Sequence, residues 1–282
     1  MKINKKTHKK IVKKSETQKK IQKNGKDLYD GRFRTSIEGL DKLFDKGIPL
    51  GSAVLVEGGP GSGKTNICLQ ICRNKCSEGK KVLFMSFEEK EERLRAHMRA
   101  FGWDPEESEK KGLLYLKRFN ALDIARSVEA LLSEAKRELL IDIQPVLIPK
   151  EFEPDVIVVD SLSSIASAFS GEESRFRIYM EQLFRYLESH NITSFLIREV
   201  SNPAHTGNVF REQGEAVSFL SDGIIIIYNV FYPESGYRER ALEILKMRGD
   251  NVDRRIVKLE MINGKGIFVH PNKQIKGKYI LT

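Results

Sequence analysis

The feature that most constrains this chain is a glycine-rich run, Gly58-Gly59-Pro60-Gly61-Ser62-Gly63-Lys64-Thr65. It follows the apolar stretch 53–56 and precedes a helix-like segment, residues 66–78. Glycines accept left-handed backbone angles and carry no Cβ, so the N–H groups of such a turn can wrap a phosphate. The partly positive N-terminus of the following helix points at the same anion. The alternative is a chance match in a surface turn, but the strand before the run and the helix after it favour a phosphate-binding loop.

The end of this loop predicts the remaining contacts of a bound nucleotide. Lys64 is expected to reach the β- and γ-phosphates, and the hydroxyl of Thr65 is expected to take one position around a Mg²⁺ ion. The residues that we expect to bind the nucleotide are Gly58, Gly59, Pro60, Gly61, Ser62, Gly63, Lys64, Thr65 and Asn66.

Acidic residues follow two further apolar runs. Residues 81–87 are followed by Glu88 and Glu89, and residues 154–159 are followed by Asp160. Ligands of open α/β sheets bind at the carboxyl ends of the parallel strands, so Glu88 or Glu89 could face the γ-phosphate and polarise the attacking water. Both glutamates could instead be the N-terminal acids of the next helix, where the dipole favours them. Asp160 is expected to hold the Mg²⁺ through a water, although an Asp at a strand end can also cap a helix.

A pair of cations closes a later segment. Residues 242–250 alternate in polarity, so Lys246 and Arg248 project on the same side near the end of a strand. Two cations there could meet a phosphate, and if they lie far from their own loop they could serve the nucleotide of a neighbouring subunit, as arginine fingers do. The alternative is a solvated face of an edge strand.

The composition excludes membrane-spanning and secreted disulfide-rich proteins. No apolar stretch is long enough to cross a bilayer, and no hydrophobic region follows the lysine-rich N-terminus. The three cysteines, Cys68, Cys72 and Cys76, are too few for a disulfide framework and fit a cytoplasmic protein. On a helix, thiols four residues apart climb about 6 Å per step, so the first and third cannot share one metal ion. We expect them to be small buried apolar residues.

The net charge of +9 comes from the N-terminal tail. Residues 1–27 hold 11 lysines and two acidic residues, and the rest of the chain holds 37 basic and 37 acidic residues. The tail has no sustained apolar period, so we expect residues 1–27 to be disordered and residues 28–282 to form the folded domain. A lysine run can neutralise phosphates, so nucleic acid or an acidic surface is one expected partner, and a solvated tail is the alternative.

Three other segments lead to predictions about local structure or function. Thr35 and Glu38 have the spacing of a capping box before a short helix. Residues 139–153 are apolar but interrupted by two prolines, which fits an extra surface element or a subunit contact. Residues 201–215 form a long polar segment after a strand, where loops are often functional.

Together these residues resemble the KaiC-like branch of the RecA superfamily of P-loop ATPases. The similarity covers about residue 34 to about residue 268. In the order of the family, the chain carries segment 34–52, the phosphate loop, Phe87-Glu88-Glu89, Phe101-Gly102-Trp103-Asp104, Val159-Asp160-Ser161, Ser221-Asp222 and Lys246-Met247-Arg248-Gly249. The resemblance implies an α/β, RecA-like core with a mainly parallel central sheet flanked by helices. The closing part of the chain is expected to be rich in strands.

The resemblance also implies a function. It implies ATP and Mg²⁺ as ligands, and ring-shaped homohexamers with ATP between subunits. It implies that Glu88, supported by Glu89, activates water, and that Lys246 and Arg248 act across the interface. We therefore expect a Mg²⁺-dependent ATPase with a regulatory or signalling role.

The chain departs from the two-domain clock members of that family. It has one phosphate loop, and the positions that match their adjacent phosphate acceptors are Ser218 and Phe219, so one acceptor is missing. This argues against autokinase activity.

The sequence leaves two alternative functions open. The chain could be a DNA-acting RecA relative whose loops near Ser170 and over 201–215 line a channel. The neutral charge of the folded body, and the absence from both loops of the basic and aromatic residues of a single-strand groove, argue against it. The chain could also be a nucleotide-gated scaffold with little turnover, against which the presence of Glu88 and Glu89 argues.

Overall fold

The computed structural model describes residues 31–135, 152–200 and 215–282. The predictions for the tail, for residues 139–151 and for loop residues 201–214 concern residues outside these ranges. Within them, no helix is both long enough and apolar enough to span a membrane.

The chain alternates strands and helices up to β8 and then continues in strands alone. The strands are β1 Arg32–Phe33, β2 Ile48–Pro49, β3 Ala53–Gly58, β4 Val82–Ser86, β5 Leu114–Arg118, β6 Val156–Asp160, β7 Thr193–Glu199, β8 Gly223–Phe231, β9 Arg238–Met247, β10 Val257–Ile262, β11 Gly266–Gln274 and β12 Ile280–Leu281. The helices are α1 Lys64–Ser77, α2 Glu91–Ala100, α3 Pro105–Lys110, α4 Ala121–Ala135, α5 Leu162–Ala168, α6 Glu173–Ser189 and α7 Glu215–Leu220, and a 3₁₀ helix covers Leu40–Leu43.

Most of the strands form one large sheet with a parallel and an antiparallel part. Six parallel strands lie in the order β5-β4-β6-β7-β3-β8. Strands β9, β10 and β11 continue antiparallel from β8, and β12 pairs with the last residues of β8. The large mainly parallel sheet with flanking helices confirms the predicted fold class, including the strand-rich C-terminal part.

This strand order positions the predicted site. Because β3 lies between β7 and β8, the loop that follows β3 opens at the carboxyl edge of the parallel strands, flanked by a strand on each side. Strands β4 and β6 are neighbours, with Ser86 opposite Asp160. The acids that follow or end these strands therefore reach the same edge of the sheet as the loop.

The core lies on both faces of the sheet. Side chains of a strand alternate between faces, so Val54 and Val56 of β3 pack with α1, whereas Ala53 and Leu55 pack with the helices of the other face. All residues of β3, β4 and β6 are buried, as expected for parallel strands covered on both sides. This is why the sequence shows continuous apolar runs rather than alternation in these strands.

The prediction that the three cysteines are buried is confirmed. Cys68, Cys72 and Cys76 lie on α1, are buried and form no disulfide. Burial raises the pKa of all three thiols. Among the residues that the structure describes, no group of three or more His, Cys, Asp or Glu side chains could hold a metal ion.

The predicted capping box near the start of the domain is wrong. The short helix is a 3₁₀ helix that starts at Leu40, with Gly39 at its N-cap and no capping side chain. Thr35 instead donates both its N–H and its hydroxyl to Asp41, each at 2.8 Å, and Asp41 also accepts the N–H of Ser36. A carboxylate that takes three donors outweighs the local capping interaction.

Candidate functional site

The glycine-rich loop packs tightly between β3 and α1. A Cβ placed on Gly58 would lie 2.3 Å from the carbonyl oxygen of Ile227 and 2.7 Å from Ser62 Oγ, so only glycine fits there without a shift. Ser62 Oγ is buried and has no hydrogen-bond partner among the described residues. A buried hydroxyl without a partner is costly, so its presence fits a loop that receives a polar ligand.

The ammonium group of Lys64 lies over this loop. Lys64 is the first residue of α1, and Nζ donates to the carbonyl oxygens of Gly58 at 3.1 Å and Gly59 at 2.9 Å. Oε1 of Glu199, the last residue of β7, lies 3.4 Å from the same nitrogen. Glu199 is not among the predicted site residues, although it ends a parallel strand as Asp160 does. The lysine is thus held over the loop by three oxygen atoms.

Thr65 and Asp160 meet from α1 and β6. Thr65 Oγ1 donates to Oδ2 of Asp160 at 2.8 Å. Burial raises the pKa of Asp160 to about 7, the hydrogen bond from Thr65 opposes this rise, and the charges of Glu88 and Glu89 add to it. A hydroxyl and a carboxylate are the hard oxygen donors that Mg²⁺ prefers. The two residues therefore fit a magnesium ion that accompanies a nucleotide.

Glu88 is oriented by the segment that follows β6. Its Oε1 accepts hydrogen bonds from the hydroxyls of Ser161 at 2.5 Å and Ser164 at 2.8 Å. Ser161 is the N-cap of α5, and its peptide bond to Asp160 is cis. Glu88 therefore lies at the end of β6, next to the Asp160 carboxylate. The two serines had no signal of their own in the sequence.

Glu89 faces the other way, toward α2. Its N–H donates to Ser86 Oγ at 2.9 Å. Its Oε2 lies 3.6 Å from Arg93 Nε and 3.7 Å from His97 Nδ1. Glu88 thus lies beside Asp160, and Glu89 lies just before α2, which begins at Glu91.

The outer side of the loop is held by the antiparallel part of the sheet. Asn229 of β8 donates from Nδ2 to the carbonyl oxygen of Pro60 at 3.1 Å. Arg240 of β9 donates from Nη2 to the carbonyl oxygen of Gly61 at 3.2 Å. The sequence does not predict either contact, because neither residue follows a strand or belongs to a motif. The two bonds hold two carbonyl groups of the loop in place.

Lys246 and Arg248 converge on the end of α7. Lys246 Nζ donates to the carbonyl oxygens of Ser218 at 3.0 Å and Ser221 at 2.6 Å. Arg248 Nη2 donates to the carbonyl oxygen of Phe219 at 2.6 Å. Burial, and secondarily the charge of Arg248, lowers the pKa of Lys246. In the single chain both cations therefore bind the C-terminal carbonyls of a helix, where cations are favoured.

Comparison with known proteins gives one consistent family. The profile of the KaiC ATPase family matches residues 33–274. The chain is 29% identical to the circadian clock protein KaiC3 of Synechocystis sp. over 87% of its own length and 46% of that protein, so it spans about half of this relative. It is 33% identical to a UPF0273 protein of Aeropyrum pernix, covering 87% of this chain and 96% of the relative.

A solved structure shows the same fold. The KaiC-like protein PH0186 of Pyrococcus horikoshii superposes with a TM-score of 0.66 at 26% identity. The match covers 86% of this chain and 99% of that protein.

Proposed function

Because the chain belongs to the KaiC ATPase family, we propose that it binds Mg²⁺-ATP at the glycine-rich loop and hydrolyses it. The observation that carries the proposal is the contact between Thr65 and Asp160 beside the ammonium group of Lys64. Burial of a carboxylate is unfavourable without a cation, so the position of Asp160 beside Thr65 supports a metal ion that accompanies the nucleotide.

The binding residues have separate tasks in this proposal. The loop N–H groups and the N-terminus of α1 bind the phosphates, and Lys64 exchanges its contacts with Gly58 and Gly59 for phosphate oxygens. Thr65 and Asp160 hold the Mg²⁺, Asp160 through a water. The bound ion would neutralise charge that develops on the phosphate oxygens.

Glu88 is the proposed base. The hydroxyls of Ser161 and Ser164 both donate to Oε1 and fix the orientation of the carboxylate. The carboxylate then accepts a proton from the water that attacks phosphorus, a role that requires hydrogen-bond reach of that water. Glu89, which contacts Arg93 and His97, supports the base by fixing the start of α2.

Hydrolysis is tested by steady-state ATP turnover of the full-length protein with Mg²⁺. Lys64→Ala should abolish turnover, whereas the matched surface variant Lys80→Ala should retain it, because the Lys80 side chain is half exposed and pairs with Asp155 on the surface. Binding of ATP without turnover by the unmodified chain would contradict hydrolysis and favour the nucleotide-gated scaffold. Addition of single-stranded DNA tests the other alternative, since a DNA-acting ATPase should be stimulated several-fold.

We further propose that the chain acts as a homohexameric ring in a regulatory or signalling role, with Lys246 and Arg248 completing the site of the neighbouring subunit. The support is that both cations contact the end of α7, where they donate to backbone carbonyls and Arg248 also contacts Asp222. Carbonyl oxygens are weaker partners for a cation than phosphate oxygens, so an exchange of partners is favourable.

Mixing of subunits tests the shared site. Lys64→Ala subunits lack their own loop lysine and Arg248→Ala subunits lack the donated arginine, so each homogeneous ring should be inactive. A mixture should recover activity at those interfaces where an intact loop meets an intact arginine. If the mixture stays inactive while size-exclusion chromatography shows mixed rings, Arg248 does not act in the neighbouring subunit.

A further inference from the structure

We propose that Arg198 is a positioning residue that links the strand of the phosphate loop to α7 and thereby sets the position of Lys246 and Arg248. The inference rests on the proposed ATPase function. It starts from a buried charge pair, Glu57 with Arg198, that takes no part in the binding of nucleotide or metal described above. The Glu57 side chain is fully buried and that of Arg198 is 12% exposed.

The pair lies directly behind the phosphate loop. Glu57 is the penultimate residue of β3 and is followed by Gly58. It stands opposite Arg198 in the parallel pairing of β3 with β7, and Arg198 Nη2 donates to Glu57 Oε1 at 2.5 Å. The same Nη2 donates to the hydroxyl of Ser218 on α7 at 2.8 Å. One guanidinium therefore connects two strands of the sheet to a helix.

Arg198 and the next residue serve opposite faces of the sheet. Side chains alternate along β7, and Leu196 and Ile197 enter different cores. Glu199 consequently reaches Lys64 on the face of α1, and Arg198 reaches α7 on the other face. Two adjacent residues at the end of β7 thus contact the lysine of the phosphate loop and the helix that holds the distal cations.

The position of α7 affects those cations because its carbonyls are their partners. Lys246 bonds the carbonyl of Ser218, the residue whose hydroxyl bonds Arg198. Arg248 bonds the carbonyl of the next residue, Phe219. A shift of Ser218 would therefore move the anchoring points of both cations together.

The chemistry of the link requires arginine. A buried carboxylate at Glu57 needs a cation, and the planar guanidinium can satisfy it while also reaching a hydroxyl on a different element. Lysine would neutralise Glu57, but its single ammonium would not keep the same fork geometry. Removal of the charge altogether would take the guanidinium away from the buried carboxylate of Glu57, which endangers folding.

The experiment therefore breaks the helix end of the link and leaves the charge pair intact. Ser218→Ala removes the hydroxyl acceptor but keeps Glu57 paired with Arg198. The matched control is Ser127→Ala, whose hydroxyl bonds a carbonyl on the exposed side of α4. Arg198→Lys is the conservative second variant, and Glu57→Gln combined with Arg198→Gln tests a neutral replacement of the pair.

Three readouts separate positioning from a merely structural role. We measure hydrogen exchange of α7 without nucleotide, including the Ser221 amide that bonds the Val217 carbonyl, then the affinity for Mg²⁺-ATP, and then kcat. Ser218→Ala and Arg198→Lys should exchange faster in α7, retain affinity within about twofold, and lose about tenfold to a hundredfold in kcat. The neutral double variant should fold but show the same loss of kcat. Ser127→Ala should match the unmodified chain in all three.

Unchanged exchange in α7 with unchanged kcat in Ser218→Ala would overturn the proposal, because Arg198 would then serve only as the counter-ion of Glu57. A loss of affinity equal to the loss of kcat would also overturn it, since the effect would lie in the phosphate loop itself. If the unmodified chain does not hydrolyse ATP, the proposed function fails. In that case the exchange of α7 alone decides whether the link positions the helix.

Discussion

Replacement of Asp160 by Asn should stabilise the nucleotide-free protein, although it removes a residue of the proposed metal site. The carboxyl group is buried, and its pKa is raised from 3.8 to about 7. A shift of about three units corresponds to about 4 kcal/mol at 1.36 kcal/mol per unit, which is the largest cost that the charged form can impose. Asn is neutral and can still hydrogen-bond Thr65, so we expect a gain of about 2–4 kcal/mol at pH 8.

The pH dependence follows from the direction of the shift. The folded state binds the proton of Asp160 more tightly than the unfolded chain, so its contribution to stability is fully present below about pH 4. That contribution is lost as the pH rises through about 7. The difference between Asp160→Asn and the unmodified chain should therefore be small near pH 4 and largest above pH 7.

The assay is urea unfolding at pH 5 and pH 8 with a chelator and without nucleotide. Asp123→Asn is the matched control, because the Asp123 side chain is mostly exposed on α4 and its ion pair with Arg126 is on the surface. If Asp160→Asn is equally stable or less stable than the unmodified chain at pH 8, the reasoning is refuted. Burial would then not destabilise the charged form of Asp160 in the folded protein. With Mg²⁺-ATP the order should reverse, because only the unmodified chain can gain stability from the bound metal.

Four other substitutions test the site. Glu88→Gln should retain affinity for Mg²⁺-ATP and lose about 10²–10³-fold in kcat, and an unchanged kcat would exclude Glu88 as the base. Gly58→Ala should lower the free energy of unfolding by roughly 3 kcal/mol, because the added Cβ meets the Ile227 carbonyl. Gly61→Ala should lower it by about 1 kcal/mol, because its Cβ would meet no atom and only the left-handed backbone angle is unfavourable. Thermal or denaturant unfolding measures both. Asn229→Ala should cost about 1 kcal/mol and weaken nucleotide binding, measured by calorimetry, because the Pro60 carbonyl loses its donor; equal affinity would show that this bond does not shape the loop.

The sequence by itself determined the features that depend on neighbouring residues. The glycine-rich loop with its flanking strand and helix, the buried parallel strands and the burial of the cysteines all follow from local spacing and apolar pattern. Asp160 and Glu88 can be predicted as site residues because the carboxyl ends of the strands in an open α/β sheet face the ligand. The capping box failed because Asp41, six residues after Thr35, offered a stronger acceptor than the local cap.

Only the tertiary structure decided the contacts between distant segments. Glu199 meets Lys64 because β7 happens to lie beside β3, and Asn229 and Arg240 hold the loop because the antiparallel strands continue from β8. Likewise Arg198 joins Glu57 to Ser218 across three elements. The physical reason is that strand order and helix docking are set by the packing of the whole core, and a single polar side chain carries no local pattern that reveals which strand will lie next to it.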